Sequence, residues 1–442
     1  MPWIWITIFI SSLFACDKVN KVEGKKGFGP GEQNWGYVTV RPGAHMFWWL
    51  YYVNPPDKPT NFDPLSKPLI IWIHGGPGGS GTGYGNFKQF GPLDIHGHYR
   101  NYTWVNDYNV LFIDNPVGSG FSYVDSYSDY AKNNTQIAND LFECIKKFFQ
   151  VIPAFRNIFT YIASESYGAK MGAELASIWY KAQNSKSIQS DLKGIVLGAP
   201  WISPIDSILS WPSFLLNTGI VNTAGYEKIK GETEKVRQAI EAKKWREATD
   251  AKNGALKIVN EVSDYIPTSN ILIEKKSYDG VQNYTTRFPK PQKPDENLAQ
   301  LIHFMNNDVK KTLGLISPWV LNPPEVVENI YEDIMKPVVN TVEELLNETN
   351  LKVSVYAGQL DLFVALPGTV KWVENLKWKH EDAWKRAPRV AFAVDNIIEG
   401  YVQACDKLKM YWVLRAGHLV VEDNPYAINA ILQEMTSVKY NP

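Results

Sequence analysis

The 442-residue sequence predicts an α/β fold, with a mostly parallel central sheet flanked by helices and an inserted helical cap. Two observations carry this prediction. Short, fully apolar runs that end in glycine or polar loops recur along the chain, which is typical of buried parallel strands. Helical patterns separate several of these runs, and such alternation indicates a sheet with helices on both faces.

The elements are predicted in the following order. Two early apolar runs, 35–40 and 46–53, predict antiparallel strands joined by a turn at Arg41-Pro42-Gly43. The runs that predict the remaining strands lie at 68–75, 109–114, 158–163, 192–200, 351–358 and 409–417. Helical patterns lie at 131–151, 167–183 and 426–435.

The alternation breaks between residues 204 and 341, and this stretch predicts the helical cap. The cap would divide the rest of the chain into two core segments, 17–203 and 342–442. Its charge-rich helices are expected to be solvated faces that carry no chemistry. Its polar segment from Lys275 to Glu296 contains three prolines and predicts an exposed loop that proteases reach.

Composition limits the classes of partner. The formal net charge is −1, with both signs interspersed, whereas a nucleic-acid-binding protein needs a strongly basic face. We therefore expect no nucleic-acid partner. If Cys16 is removed or unpaired, Cys144 and Cys405 form one disulfide at most, and two buried thiols are the alternative.

The N-terminal segment predicts a secreted or lysosomal/vacuolar protein. The apolar stretch from Trp3 to Ala15 has the length of a signal-peptide core and is too short to span a bilayer, so residues 1–16 are expected to be cleaved. No other segment predicts a membrane span. Glycosylation acceptor motifs, which suit a secreted chain, stand at Asn101, Asn133, Asn283 and Asn347.

The segment Ser164-Glu165-Ser166-Tyr167-Gly168 predicts a nucleophile elbow. It follows an apolar strand and opens a helix of small residues. At such an elbow the chain turns sharply, so the positions two residues away from the serine must be small. Glycine is usual at both positions, and here the first is Ser164. The context makes Ser166 the candidate nucleophile, although an ordinary strand–turn–helix has the same pattern.

A nucleophilic serine needs a base, and the base needs a carboxylate that orients it. In enzymes with this elbow the order along the chain is serine, acid, histidine, each after a strand. Asp361 follows the run 351–358, and His418 follows the run 409–417. We therefore predict Ser166, Asp361 and His418 as the catalytic residues of an α/β-hydrolase fold.

The oxyanion of acyl transfer needs backbone donors. The amide of Tyr167, next to the serine, is one candidate, and the glycine-rich loop after residue 73 supplies Gly76 as the other. That loop also matches a dinucleotide-binding pattern, but no helical period follows it, so we expect no such cofactor. His96 and His98 lack further ligands with suggestive spacing, and we expect no metal.

The chain resembles the serine carboxypeptidase family, and within it the retinoid-inducible branch. The resemblance runs from about residue 35 to the C-terminus, through HGGPGGSGTGYGNF, LFIDNPVGSGFSYV, SESYGAKM, YAGQLDL and WVLRAGHLV, among other segments. It implies removal of one residue from the C-terminus of peptides or proteins, best at acidic pH, without a cofactor. It also implies the same triad and the same oxyanion donors.

The resemblance further implies a site that binds the terminal carboxylate of the substrate. In the family this site contains an asparagine, the backbone of the next glycine and two carboxylic acids. Here the corresponding residues are His74, Gly75, Gln89 and Glu165, so two of the four positions differ. An acyltransferase or esterase with the same triad, and a secreted binding protein with little turnover, therefore remain as alternatives.

Overall fold

The computed structural model describes residues 24–273 and 294–437, with side chains described from residue 298 in the second range. Most of the predicted strands are present within one or two residues of their predicted bounds. The strands are β1 (Lys25–Lys26), β2 (Glu32–Arg41), β3 (Ala44–Tyr51), β4 (Leu69–Ile73), β5 (Asn109–Ile113), β6 (Tyr123–Val124), β7 (Phe159–Glu165), β8 (Asp191–Gly198), β9 (Lys352–Gly358), β10 (Arg389–Val394), β11 (Ile397–Cys405) and β12 (Leu408–Val413).

The strands form one twisted sheet in the order β1-β2-β3-β5-β4-β7-β8-β9-β12-β11-β10, and β6 pairs with β3 at its side. The pairs from β5 to β12 are parallel, and the flanking pairs are antiparallel. The predicted mostly parallel sheet is therefore confirmed. Alternate residues of β4 enter opposite cores, because side chains alternate across a sheet: Ile71 and Ile73 face one, Ile70 and Trp72 the other.

Helices cover both faces of the sheet. They are α1 (Asn134–Val151), α2 (Tyr167–Asn184), α3 (Pro204–Asn217), α4 (Thr223–Glu241), α5 (Trp245–Val262), α6 (Pro294–Phe304), α7 (Lys310–Leu313), α8 (Pro324–Asn329), α9 (Val339–Glu348), α10 (Leu366–Glu374), α11 (Glu381–Arg386), α12 (Val420–Asp423) and α13 (Pro425–Thr436). In the part of the chain described here, none of them is long and apolar enough to cross a membrane.

Two elements differ from the sequence-based prediction. Residues 81–90, predicted to lack helical structure, form a wide helix of the π type, and the side chain of Ser80 caps its first turn. Position 85 requires a glycine because Trp72 packs against it. A Cβ added at Gly85 would be 2.6 Å from the indole nitrogen of Trp72. The hairpin of β10 and β11 was not predicted either.

The cap helices α3, α4 and α5 lie between β8 and β9, and the predicted boundary at residue 341 falls inside α9. The segment 275–296 lies outside the described residues except for its last three, which begin α6. Cys144 and Cys405 are both free, so they do not form the disulfide that the sequence left open. Cys144 is buried in the core, and residues 1–16 lie outside the described range.

Candidate active site

Ser166 stands at a sharp turn between β7 and α2. Its backbone has φ 60° and ψ −127°, a conformation that residues with a Cβ rarely adopt. Backbone hydrogen bonds to the next strand and the loop after it hold it there: its N–H donates to Gly198 O over 2.9 Å, and its carbonyl accepts from Trp201 N over 3.1 Å. The turn therefore presents the Ser166 hydroxyl at the carboxyl edge of the sheet, which is the geometry of a nucleophile elbow.

The two flanking positions of the elbow tolerate different residues. A Cβ at Gly168 would be 2.3 Å from the carbonyl oxygen of Ile73, so only glycine fits. Ser164 fits because its hydroxyl donates to Val196 O on the neighbouring strand, over 2.8 Å, and its side chain is buried. The departure from glycine at this position is therefore accommodated within the sheet.

Asp361 and His418 come together at the ends of β9 and β12, which are neighbours in the sheet. The Nδ1 of His418 and the Oδ2 of Asp361 are 2.8 Å apart, and the carboxylate is fully buried. Burial lowers the pKa of His418, but the charge and hydrogen bond of Asp361 outweigh this effect, so the pKa is raised overall. A histidine held in this way has its other ring nitrogen available for proton transfer.

Sequence reasoning missed a loop that forms backbone hydrogen bonds with both the Asp361 and the His418 segments. Residues 268–270 follow the cap helices, and the carbonyl of Ser269 accepts a hydrogen bond from His418 N over 2.5 Å. The carbonyl of Thr268 accepts from the backbone N–H groups of residues 362 and 363. No side-chain pattern marks such a role, because these bonds use backbone atoms.

A cavity of about 330 Å³ opens at Ser166. The glycine-rich loop forms one wall, and a Cβ at Gly75 would be 2.7 Å from the Ser166 Cβ and 3.1 Å from Tyr167 N. The predicted oxyanion donor Gly76 lines the cavity with Gly75. Within the described part of the chain, the complete lining of the cavity consists of His74, Gly75, Gly76, Gly79, Tyr84, Glu165, Ser166, Thr268, Ser269, Leu321, Asn322, Phe363, His418 and Leu419.

The helix 81–90 removes the reason given above for rejecting a dinucleotide, since a helix does follow the glycines. The glycines of the pattern, Gly76, Gly78 and Gly81, have structural reasons instead: the first two have φ values of 120° and 99°, and a Cβ at Gly81 would be 2.6 Å from the carbonyl oxygen of Ile113. Among the described residues no group of three or more histidine, cysteine, aspartate or glutamate side chains has the geometry of a metal site.

Glu165 and Gln89 meet behind the serine. The Nε2 of Gln89 donates to the Oε1 of Glu165 over 2.9 Å, and both side chains are buried. The second carboxyl oxygen of Glu165 has no hydrogen-bond partner among the described residues. Burial raises the pKa of Glu165 to about 8, so this carboxyl is protonated and neutral in acidic and neutral solution.

His74 lies beside this pair and stacks on Tyr84, with ring centroids 5.2 Å apart. Burial and the charge of His418 lower the pKa of His74 to about 4. His74 is therefore neutral in mildly acidic solution. Its buried Nδ1 has no partner within the described ranges.

Glu422 is a half-buried acid near the site that sequence reasoning missed. It lies on α12, it hydrogen-bonds Tyr84, and its negative charge contributes to the raised pKa of Glu165. Burial raises the pKa of Glu422 itself to about 7. The only sequence signal was an acid four residues after His418, at the end of a short apolar run.

Three of the four predicted glycosylation acceptors are described, and all three are exposed: Asn101, Asn133 and Asn347. Asn133 caps α1, its Oδ1 accepting from Gln136 N over 2.9 Å. The amide of Asn347 donates to Lys377 O over 3.0 Å. Asn283 lies outside the described residues.

Comparison with known proteins agrees with this geometry. A family model described as serine carboxypeptidase matches residues 24–438. The retinoid-inducible serine carboxypeptidase of Rattus norvegicus is 36% identical, covering 95% of this chain and 94% of that protein. Serine carboxypeptidase-like 51 of Arabidopsis thaliana is 30% identical, covering 97% of both chains. A prohormone-processing carboxypeptidase from Saccharomyces cerevisiae has a similar fold, with a TM-score of 0.77, 19% identity, and coverage of 92% and 91% of the two chains.

Proposed function

Because the chain belongs to the serine carboxypeptidase family, a family of hydrolases, we propose that it removes the C-terminal residue of peptides through an acyl-enzyme on Ser166. The single observation that carries the proposal is the 2.8 Å contact of Asp361 with His418, because His418 lines the same cavity as Ser166. His418 Nε2 takes the hydroxyl proton as Ser166 Oγ attacks the scissile carbonyl carbon. The same proton then passes to the departing amine, and water releases the acyl group by the reverse sequence.

The negative charge that forms on the carbonyl oxygen needs donors in place before the reaction. Tyr167 N is the first backbone amide of α2, so it has no acceptor within the helix and adds the positive end of the helix dipole. Gly76 belongs to the glycine-rich loop that lines the cavity. We assign these two amides as the oxyanion donors.

The exopeptidase specificity is assigned to Glu165, Gln89, Gly75 and His74. A substrate carboxylate only accepts hydrogen bonds, so the site must donate them. Protonated Glu165 has one buried oxygen without a partner, and it is held in place by Gln89. His74, neutral above about pH 4, has a ring N–H to donate. The site thus binds a carboxylate by hydrogen bonds without a cation.

The proposal is tested by mass spectrometry of peptides after incubation with the protein. Each peptide should lose its C-terminal residue, and its C-terminal amide should react much more slowly. Equal rates for acid and amide at every pH would instead favour the esterase or acyltransferase alternative. Ser166→Ala should abolish labelling by a serine-reactive phosphonate.

We also propose entry into the secretory pathway, to the exterior or to a lysosomal or vacuolar lumen. The apolar segment of residues 1–16 and the exposed Asn101, Asn133 and Asn347 support this. The proposed substrates are then the C-termini of peptides or proteins in that compartment. Glycosidase treatment of the protein secreted by cells should increase its gel mobility, and replacement of each asparagine would identify the sites used.

A further inference from the structure

A lysine on the cap helix α5 occupies a position that its sequence context does not suggest. The charge-rich pattern of α5 predicted a solvated face. Ala248, Ala255 and Val259 nevertheless form a fully buried stripe along it. Lys252 lies one turn after Ala248 and three residues before Ala255, so helical geometry places it on the same stripe.

The ammonium group of Lys252 approaches the wall of the active-site cavity. Its Nζ is 5.9 Å from the ring centroid of Phe363, which lines the cavity. Phe363 in turn stacks on Trp201, with centroids 5.3 Å apart, and its ring lies edge-on to His418 at 5.6 Å. Lys252 is thus separated from the catalytic histidine by a single aromatic ring.

Lys252 has no carboxylate partner among residues 24–273 and 298–437. Several other cations of α4 and α5 form ion pairs near the surface: Lys230, Lys235, Arg237, Lys244, Arg246 and Lys257. Burial lowers the pKa of Lys252, and no neighbouring carboxylate offsets it. Lys252 is half-buried, and a partly desolvated cation without a counter-charge is unfavourable, so an anion that arrives with the substrate would stabilise it.

The order of strands tells which part of a substrate would meet Lys252. The carboxylate-binding loop follows β4, Ser166 follows β7, and Phe363 follows β9, in the sheet order β4-β7-β8-β9. Ser166 therefore lies between the two. The departing residue would occupy the β4 side, and the acyl part of the peptide would extend towards Phe363.

We propose that Lys252 is a specificity-determining residue, which binds an acidic side chain of the residue immediately upstream of the scissile bond. This inference rests on the proposed carboxypeptidase function. The alternative is that the aliphatic stem of Lys252 only packs on Phe363 and extends its charge to water.

Peptides that differ only at the penultimate residue test the proposal. At about pH 6 a glutamate side chain is ionised, and glutamine is its neutral isostere. The wild-type protein should favour glutamate over glutamine by roughly ten-fold in kcat/KM, the scale of one charge-assisted hydrogen bond. The ratio should fall to about one in Lys252→Met, persist in Lys252→Arg, and shift to favour a penultimate lysine in Lys252→Glu.

Lys257→Met is the matched control, because Lys257 lies on the same helix with a side chain that is 78% exposed. It should leave the ratio unchanged. Equal rates for glutamate and glutamine peptides in the wild type, or a preference that survives in Lys252→Met, would overturn the proposal. If the protein preferred glutamate over glutamine at the terminal residue and not at the penultimate one, the assignment of Lys252 to the acyl side would be overturned.

Phosphonate probes separate this proposal from the proposed function. Two probes that place a glutamate-like or a glutamine-like side chain upstream of the phosphorus report on Ser166 and the acyl side alone. Faster labelling by the acidic probe, lost in Lys252→Met, would support the role of Lys252 even if no peptide were hydrolysed. Equal labelling rates would count against it, and absence of labelling by both would overturn the nucleophile assignment as well.

Discussion

The side-chain amide of Gln89 donates a hydrogen bond to the carboxyl group of Glu165 over 2.9 Å, next to Ser166 and out of contact with solvent. An amide donates at any pH, whereas a carboxylic acid in the same position donates only when it is protonated. Gln89 therefore keeps Glu165 in place without adding a second titrating group at that position. The other acids whose charge raises the pKa of Glu165 are the half-buried Glu422 and the buried Asp361.

The first prediction concerns Gln89→Glu. Two carboxyl groups at hydrogen-bonding distance titrate as a pair, and their repulsion disfavours the state in which both are ionised. The variant should remain active on free-acid peptides near pH 5. Between about pH 5 and neutral pH its kcat/KM should fall by about ten-fold more than that of the wild type. Peptide amides should show no such change. Gln238→Glu, on the exposed side of α4, is the control and should follow the wild-type pH profile.

The second prediction concerns stability in Glu165→Gln. The pKa of Glu165 is about 8 in the folded protein, whereas the ordinary value of 4.5 applies to the unfolded chain. As pH rises between these values the unfolded chain ionises while the folded one stays neutral, so folding stability falls, by about 1.4 kcal/mol per pH unit of separation at most. The loss is complete above the folded pKa.

Glu165→Gln removes this penalty. Urea unfolding at about pH 5 and about pH 8 should show the wild type losing several kcal/mol more than the variant over that interval. Parallel pH dependence in the two proteins would mean that Glu165 is ionised in the folded state, which would contradict the proposed hydrogen-bond donor.

The third prediction separates the chemistry of Ser166 from its backbone strain. Ser166→Ala and Ser166→Gly should both lose peptidase activity by several orders of magnitude, as other triad removals do. A residue with φ 60° and ψ −127° is strained when it carries a Cβ. Ser166→Gly should therefore be more stable than Ser166→Ala by about 1 kcal/mol, despite the added freedom of glycine in the unfolded chain. Equal stabilities would indicate that the elbow is unstrained.

Sequence reasoning located the strand ends because buried parallel strands have an unambiguous apolar pattern, and Ser166, Asp361 and His418 each follow one. It failed for the helix 81–90, whose glycines lower helix propensity. Tertiary contacts override that propensity. The buried carboxylate of Asp114 accepts from Ser80 Oγ and Thr82 Oγ1, each over 2.6 Å, and so anchors the first turn.

Charge patterning failed for a related reason. Lys252 lies in a charge-rich helix, and Glu422 ends a short apolar run next to Asp423. The packing of α5 on Phe363 and of α12 beside Tyr84 withdraws both side chains partly from water. A sequence pattern reports how many charges an element carries. It does not report which of them the tertiary structure buries, and these two became relevant to the site only through burial.

The fourth prediction concerns the ion pair between the core and the cap. Lys170 of α2 and Asp333 of the segment before α9 are both buried, with Nζ and Oδ2 2.9 Å apart. Tyr167 donates its hydroxyl to the same carboxylate over 3.1 Å, so the pair lies directly behind the elbow. Removing Lys170 leaves the buried carboxylate of Asp333 with the more distant Lys336, 3.7 Å away, and the Tyr167 hydroxyl. Lys170→Met should therefore cost about 3 kcal/mol of unfolding free energy, the lower end of the range for a broken buried pair.

The double variant Lys170→Met/Asp333→Leu distinguishes the cost of an orphaned charge from the contribution of the pair. Replacing a buried pair by apolar residues is often neutral, because desolvation opposes the attraction. The double variant should therefore be more stable than Lys170→Met alone in urea unfolding, with a coupling energy of roughly 1–3 kcal/mol. Additive losses would contradict a direct interaction.

Since the cap supplies the Ser269 carbonyl that holds His418, a weakened junction should also lower kcat more than it raises KM.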